Sequence, residues 1–379
     1  MNFTEGKTFV IAEIGTSHLG NINKALELIE KSLDAGADAV KFQWVYASEI
    51  LHPKTGNVLL PGGNIPLYNR FKELEVSPEF FAVCRDFTRK KGGSFICSPF
   101  GIKSLRELLE IEPDWVKIAS PELNHIPMLK ELAALRKGRE KDIKVILSSG
   151  VSLKSDIKRA LEILGTQEVS LLHCVTSYPA PEEDYNLRLL KNLKSEFKIN
   201  VGVSDHSKSP VLVPCLGISQ GASVIEKHIT ISNDTEGLDD PVALTTEQFS
   251  FMCHFIHQCD AVINRYGKEK GEKQIIKQLA DTEGIEKIEK ILGTGEKFLA
   301  PSEKANYGRT NRSLHYMKNL KKGHKIQEGD VEVLRTEKIL TPGISPEYME
   351  KVIGKTLCKD VKDGEGVQFC ELEDFEEIK

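Results

Sequence analysis

The chain has 379 residues, 40% of them hydrophobic and 28% charged, with a formal net charge of −5 and pI about 6.1. That balance is ordinary for a globular protein, argues against a nucleic-acid-binding face, and includes no run of about 18 apolar residues that would cross a membrane. The N-terminal MNFTEGKTFVIAEIG has no basic stretch ahead of a long apolar core, so no signal peptide is expected, and the eight scattered cysteines are expected as reduced thiols in the cytoplasm.

Eight apolar, mostly β-branched runs of strand length follow one another: TFVIAEI (8–14), AVKFQW (39–44), SFICS (94–98), WVKIAS (115–120), KVILSS (144–149), VSLLHCV (169–175), NVGVSD (200–205) and SVIEKHI (223–229). Helical patterns separate them. NKALELIEKSLDAG sets Ala25, Leu28, Ile29 and Leu33 on one face and ends at Gly36. Ser77–Pro78, Ser152 and Thr245 mark the starts of three more. Eight strand–helix units predict parallel pairing and a closed (β/α)₈ TIM barrel of about 260 residues. An open doubly wound sheet is the weaker reading, because no Gly-rich phosphate fingerprint follows the first strand. The connection over 45–76 is long enough to suggest a functional loop.

The chain divides as a barrel (1–263), a charged helical segment with a linker (264–309) and a small β-rich domain (310–379) with two basic–Gly turns, NLKKGHKIQEGD and KDVKDGEG. ISPEYMEKVIGKTL reads as a helix between them. So small a domain is expected to need a partner surface.

In such a barrel the chemistry stands at the C-terminal ends of the strands. Those ends carry Glu13, Lys41, Gln43, Ser98, Lys117, Ser120, Glu122, Ser148, Ser149, His173, Thr176, Tyr178, Ser204, Asp205, His206, Glu226, Lys227 and His228. A single Lys or Glu there is ordinarily a rim residue in a salt bridge, but this many on one rim argue for a site. Strand alternation directs Val224, Glu226 and His228 to one face, the barrel interior, and Lys227 to the other, where it pairs with an acid. Lys41 and Lys117 with Ser98, Ser120, Ser148 and Ser204 suit an anion, a phosphate or a carboxylate. His206 and His228, with Asp239 or Asp240 to complete or orient the set, suit a divalent metal; the bland alternative is two hydrogen-bonded rim histidines. Cys253, His254, His257 and Cys259 look zinc-like in composition, but on a helix only Cys253 and His257 share a face, so no zinc site is expected.

These residues also stand in strings. VIAEIGTSHLGN, GADAVKFQ, CSPF, VKIASPELN, ILSSG, LLHCVTSYPAPEEDYNL, VGVSDHS and GASVIEKHITI, in this order, resemble the sialic acid synthase family; NLKKGHKIQEGD, ISPEYMEKVIGK and VKDGEG resemble its antifreeze-like (SAF) domain. The resemblance covers nearly the whole chain. It implies a carbon–carbon bond-forming transferase that condenses phosphoenolpyruvate with an N-acetylated amino sugar of the N-acetylmannosamine type, giving a nine-carbon 2-keto acid and phosphate. It also implies a domain-swapped homodimer whose SAF domain covers the partner's barrel mouth.

By motif, Lys41, Ser98, Lys117, Ser120, Ser148, Thr176 and Ser204 would hold phosphoenolpyruvate, with Asn64 near its phosphate. His206 and His228 would bind Mn²⁺, or Mg²⁺ or Co²⁺ in its place. Glu13, Tyr178, Glu226 and Asp239 would meet the sugar, Glu122 would handle protons or the attacking water, and Arg312 would reach the sugar's N-acetyl group across the dimer. The chain departs from the family at Pro121 (SPE for SGE), at Ser17 and Leu19 (TSHLG for NHNG or NHEG) and at Val175 (for Thr), which bears on the acceptor sugar. Legionaminic and pseudaminic acid synthases share the same core strings. A phosphoenolpyruvate–aldose-phosphate synthase shares the barrel but lacks the SAF domain.

Overall fold

The computed structural model describes residues 6–60, 63–137 and 142–375. Eight parallel strands, β1 (Phe9–Gly15), β2 (Ala39–Trp44), β3 (Ser94–Pro99), β4 (Trp115–Ile118), β5 (Val145–Ser148), β6 (Val169–Cys174), β7 (Asn200–Asp205) and β8 (Val224–Thr230), pair in chain order. β8 returns to β1, with Phe9 opposite Val224 and Glu13 opposite His228, so the sheet closes. Every expected strand is present, its ends within two residues of the sequence reading.

Helices α1 (Ile22–Asp34), α2 (Pro78–Lys90), α3 (Ile102–Glu110), α4 (Ile126–Lys137), α5 (Lys154–Leu164), α6 (Leu189–Phe197), α7 (Leu212–Ser219) and α8 (Thr246–Tyr266) follow the strands. Thr245 starts α8 as expected: its hydroxyl accepts from Gln248 N while the Gln248 side chain accepts from Thr245 N at 3.0 Å. Ser152 does not start α5. Its hydroxyl donates to Ser149 O at 2.7 Å, and Asp156 instead satisfies Leu153 N at 2.7 Å. α7 is buried at all eight positions, because α8 and the following helix α9 (Lys268–Glu283) pack over it.

Inside the barrel one layer is apolar: Ile11, Ala39, Ile96, Trp115, Ile146, Leu172 and Val224. Two residues further along these strands stand Glu13, Lys41, Ser98, Lys117, Ser148, Cys174 and Glu226, all buried. With a strand period of two, the polar layer sits directly above the apolar one. β7 contributes Gly202 to the lower level, where a Cβ would collide with the Val224 carbonyl and lie 2.7 Å from Leu172.

The long connection after β2 is folded, with a helical turn (Ala47–Ile50), a hairpin (Asn57–Leu60 with Gly63–Pro66) and a helix (Leu67–Glu73) over a small core of Val45, Ile50, Leu51, Val58, Leu67, Phe71 and Phe100. After α9 comes α10 (Ile285–Leu292), then an irregular segment to residue 311. The C-terminal domain pairs β9 (Arg312–Tyr316) with β10 (Val331–Arg335), antiparallel. Its core joins Leu314, Tyr316, Ile326, Val331, Val352, Leu357 and Val367. The helix expected over ISPEYMEKVIGKTL is only one turn, Met349–Val352, after a 3₁₀ turn at Pro346–Tyr348. Ile353 turns extended and Gly354 takes φ +86°, which stops it. The strand-like runs around the second basic–Gly turn form isolated bridges, such as Leu320 with Val361, and no long strand. The small domain does rest on a partner surface, that of the barrel. His52 meets Asp363 at 3.0 Å, Lys54 meets Asp363 at 2.8 Å, and Leu51 bridges Arg335.

Candidate active site

The polar layer is a charge network. Lys41 Nζ lies 2.5 Å from Glu13 Oε2 and 3.8 Å from Glu226 Oε1. Lys117 Nζ lies 3.5 Å from Glu226 Oε1 and donates to Ser148 Oγ at 2.7 Å. Ser204 donates to Glu226 at 2.8 Å, and Gln43 Nε2 donates to Glu13 Oε1 at 2.9 Å. Burial alone would raise the Glu226 carboxyl, but Lys117 and Lys41 outweigh it and hold it at about 2. Burial pulls both lysines down. Glu13 and Glu226 more than compensate at Lys41, which ends raised, while Lys117 stays lowered. Ser98 Oγ and Thr176 Oγ1 are buried without a protein partner. A buried hydroxyl left unbonded is costly, so these two are poised for a ligand.

Lys227 answers the other half of the alternation argument. It points out of the barrel and donates to Asp205 at 2.6 Å, fully buried beneath the helices.

The loops after β4, β5 and β6 meet at Gly150. Its N–H donates to Ser120 Oγ at 3.0 Å. A Cβ there would overlap Thr176 Oγ1 and lie 2.9 Å from Ser120 Oγ, so only glycine lets the two hydroxyls converge.

Next to the loop after β6 stand the histidines. The His206 and His228 rings are 5.6 Å apart. Tyr178 stacks on His206 at 4.2 Å and its hydroxyl lies 3.2 Å from His206 Nε2. His206 Nδ1 is 2.9 Å from Val175 O. The departure at Val175 therefore acts through a backbone carbonyl that any residue would supply. Asp239 Oδ2 is 3.8 Å from His228 Nδ1. Burial holds His228 below the ordinary imidazole range, in the neutral form a metal needs. Burial also acts to lower His206, but Cys174 and the Val175 carbonyl outweigh it and raise that imidazole to about 9, so a cation there has to displace its proton. Two imidazoles, one oriented by a backbone carbonyl and one beside a carboxylate, fit a divalent cation. Among the described residues no three His, Cys, Asp or Glu side chains converge on one point, so such a cation would complete its shell from water and substrate oxygens. Cys253, His254, His257 and Cys259 form no site: Cys253 and Cys259 are buried in the core, and His254 bonds Gln258.

Glu122 is fully buried, and its Oε1 receives Arg312 Nε at 3.0 Å, Arg312 Nη2 at 2.8 Å, Arg335 Nε at 2.9 Å and Arg335 Nη2 at 2.6 Å. Its Oε2 is buried without a protein partner. Arg312 also donates to Glu49 O, Val333 O and Phe100 O. Arg312 therefore completes its bonding on its own chain. Arg335 was invisible in the sequence reading, since nothing in VEVLR marks it. Cross-strand pairing opposite Arg312 brings it in, and two like charges there need a shared carboxylate.

The expected residues thus gather in three neighbouring groups: Glu13, Lys41, Ser98, Lys117, Ser148, Ser204 and Glu226; Ser120 and Thr176; and Tyr178, His206, His228 and Asp239. Glu122 and Arg312 join the two domains. Asn64 stands apart, exposed on the hairpin, its backbone opposite Leu59. Ser17 is buried and donates to Asp240, which also accepts from Gly237 N at 2.9 Å, so it braces the loop that carries Asp239.

The NeuB family model matches residues 28–268 and the SAF domain model residues 311–373. An N,N'-diacetyllegionaminic acid synthase of Campylobacter jejuni is 31% identical, over 95% of this chain and 98% of its own. The crystal structure of a spore coat polysaccharide biosynthesis protein from Bacillus subtilis superposes with a TM-score of 0.79 at 28% identity, covering 98% of this chain and 96% of that one. An N-acetylneuraminic acid (sialic acid) synthetase from Leptospira borgpetersenii matches 74% of this chain and 96% of its own, with a TM-score of 0.63 at 29% identity.

Proposed function

The chain belongs to the NeuB family, and from that membership we propose that it condenses phosphoenolpyruvate with the open-chain aldehyde of an N-acetylmannosamine-type sugar, giving a nine-carbon 2-keto acid and inorganic phosphate. The observation that carries this reading is the buried pair Lys41 and Lys117 beside the unbonded hydroxyls of Ser98 and Thr176. Two cations and unsatisfied donors in a water-poor layer suit the phosphate and carboxylate of phosphoenolpyruvate.

In the reaction, Lys41, Lys117, Ser98, Ser120, Ser148, Thr176 and Ser204 hold the enol phosphate, whereas Asn64, exposed on the hairpin, stands apart from them. Glu13, Tyr178, Glu226 and Asp239 orient the sugar. The enol carbon attacks the aldehyde carbon, water adds to the cationic carbon left behind, and the tetrahedral product expels phosphate. Glu122 Oε2, unbonded in the protein, accepts the proton of that water. Arg312 and Arg335 hold Glu122 in place, and every N–H of Arg312 is taken within this chain, which leaves none for the acetamido group. His206 and His228 would hold a divalent cation, Mn²⁺ first and Mg²⁺ or Co²⁺ as alternatives, which would supply Lewis-acid activation of the sugar carbonyl.

The full-length match to a legionaminic acid synthase supports a second acceptor, a 2,4-diacetamido-6-deoxy sugar. The SAF domain argues against an aldose-phosphate synthase. A cytoplasmic location is part of the proposal and rests on the scattered cysteines of the sequence. No helix among the described residues is long and apolar enough to cross a membrane. The homodimer is carried over from the family resemblance, and a swapped dimer would exchange the Glu122–arginine contacts between copies.

The test is phosphate release from phosphoenolpyruvate with Mn²⁺, against N-acetylmannosamine and against 2,4-diacetamido-6-deoxy sugars. Release with the first supports a sialic acid synthase. Release only with the second keeps the chemistry and changes the acceptor. Release with neither overturns the reading.

A further inference from the structure

The segment between the barrel helices and the C-terminal domain reads as a linker, yet it is built into the barrel mouth. Glu303 is 1% exposed. Its Oε2 accepts from Thr176 N at 2.8 Å and from Val151 N at 3.0 Å, and its Oε1 accepts from Ala300 N at 3.3 Å. The carbonyls of the same two barrel residues are taken by the same segment: Asn306 Nδ2 donates to Thr176 O at 2.9 Å and Asn311 Nδ2 to Val151 O at 2.9 Å. Lys297 Nζ donates to Ser149 O at 3.1 Å. The N–H and the C=O of Val151 and of Thr176 are thus all satisfied by side chains from outside the barrel.

The loops need that support. Val151, buried and β-branched, has φ +40°, a conformation such residues rarely adopt. Strain of this kind persists only where the surroundings over-determine it. Immediately before Val151 stands Gly150, wedged between Ser120 Oγ and Thr176 Oγ1. One carboxylate therefore sets the spacing of the loops after β5 and β6, and so the place of the Thr176 hydroxyl.

We propose that Glu303 is a positioning residue for the anion site: it clamps Val151 and Thr176 from the interdomain segment, and so presents Thr176, Gly150 and Ser120 to the phosphate or carboxylate of phosphoenolpyruvate. The inference rests on the function proposed above for its ligand, though not for the clamp. Glu303 does not touch substrate. It works through two N–H groups that, without it, are left buried and unpaired or drift out to water.

The experiment compares Glu303→Ala and Glu303→Gln in the full-length chain, by steady-state phosphate release and by amide hydrogen exchange. Glu303→Ala should raise KM for phosphoenolpyruvate by about tenfold or more, leave KM for the sugar unchanged, and speed exchange at Val151 and Thr176. Glu303→Gln keeps an oxygen that accepts both N–H groups and should stay within about threefold of wild type. If Glu303→Ala does not fold, Asn306→Ala, which frees only Thr176 O, should raise the same KM by a few fold. An unchanged KM for phosphoenolpyruvate in the variant that folds overturns the proposal, as does a loss confined to kcat. A wild-type enzyme that binds no phosphoenolpyruvate overturns the proposed function instead. Amide exchange then decides the clamp alone, and wild-type rates at Val151 and Thr176 in Glu303→Ala, or in Glu303→Asp, whose side chain is too short to hold both N–H groups, if Glu303→Ala does not fold, overturn it.

Discussion

Arg312 and Glu122 belong to different domains and meet at 2.8 Å with both side chains fully withdrawn from solvent. Breaking one side of such a pair leaves an uncompensated buried charge and costs about 3–5 kcal/mol. Glu122→Ala, which strands two guanidinium groups, should destabilise the chain by about that amount and expose residues 293–311 to protease. Arg312→Ala should cost a similar amount, and the double variant less than the sum. Additive losses in chemical denaturation would show that the two residues are not coupled.

Lys117 is held between Glu226 and Ser148 in the polar layer. Lys117→Met removes one charge-assisted contact to the anion, worth about 1.5–3 kcal/mol. The kcat/KM for phosphoenolpyruvate should fall by about 10- to 100-fold. A change below threefold would remove Lys117 from the anion site.

Gly150→Ala tests the cradle without altering charge. The added Cβ overlaps Thr176 Oγ1 and crowds Ser120 Oγ. KM for phosphoenolpyruvate should rise by about tenfold, since displaced hydroxyls lose their ligand bonds. Wild-type kinetics in this variant would mean that Thr176 and Ser120 do not contact the substrate.

His206 and His228 are the metal candidates. Chelation with EDTA should abolish turnover and added Mn²⁺ should restore it, whereas His228→Ala should neither retain metal after gel filtration nor respond to Mn²⁺. Full activity in His228→Ala would remove the assignment.

Asp330 anchors the small domain. It is 1% exposed and is bonded to Lys318 at 2.6 Å, His324 at 2.6 Å and Gln327 N at 2.9 Å. Burial acts to raise its carboxyl, but these donors outweigh it and hold it at about 2. A depressed folded-state pKa stabilises above the unfolded value near 3.8, and the benefit is lost as pH falls towards 2. Allowing for solvent around Lys318, Asp330→Asn should cost about 1–2 kcal/mol at pH 7. The gap should narrow between pH 4 and pH 2, and a gap that stays constant with pH would assign the loss to packing.

The barrel was legible because its signals are local. Each strand is a short apolar run, and the step of two from Ile11 to Glu13, or from Val224 to Glu226, can be counted along the chain. Cap residues were less reliable. Thr245 started its helix, but Ser152 did not, because its hydroxyl found the Ser149 carbonyl first. The C-terminal helix was overread because the pattern in ISPEYMEKVIGK does not show where the backbone turns at Ile353 and Gly354.

By itself, the sequence determined the eight strands, their inward and outward faces, and the residues that could share a mouth. Periodicity and hydrophobicity act over a few residues, and closure of eight parallel strands has one common solution. Only the tertiary structure decided that Arg335 joins Arg312 on Glu122, that Lys227 pairs with Asp205, and that Glu303 holds Val151 and Thr176 from more than a hundred residues away. These are buried polar contacts between distant segments. Their partners are chosen by three-dimensional proximity and by the cost of leaving a charge or an N–H unpaired, and neither is written in local pattern.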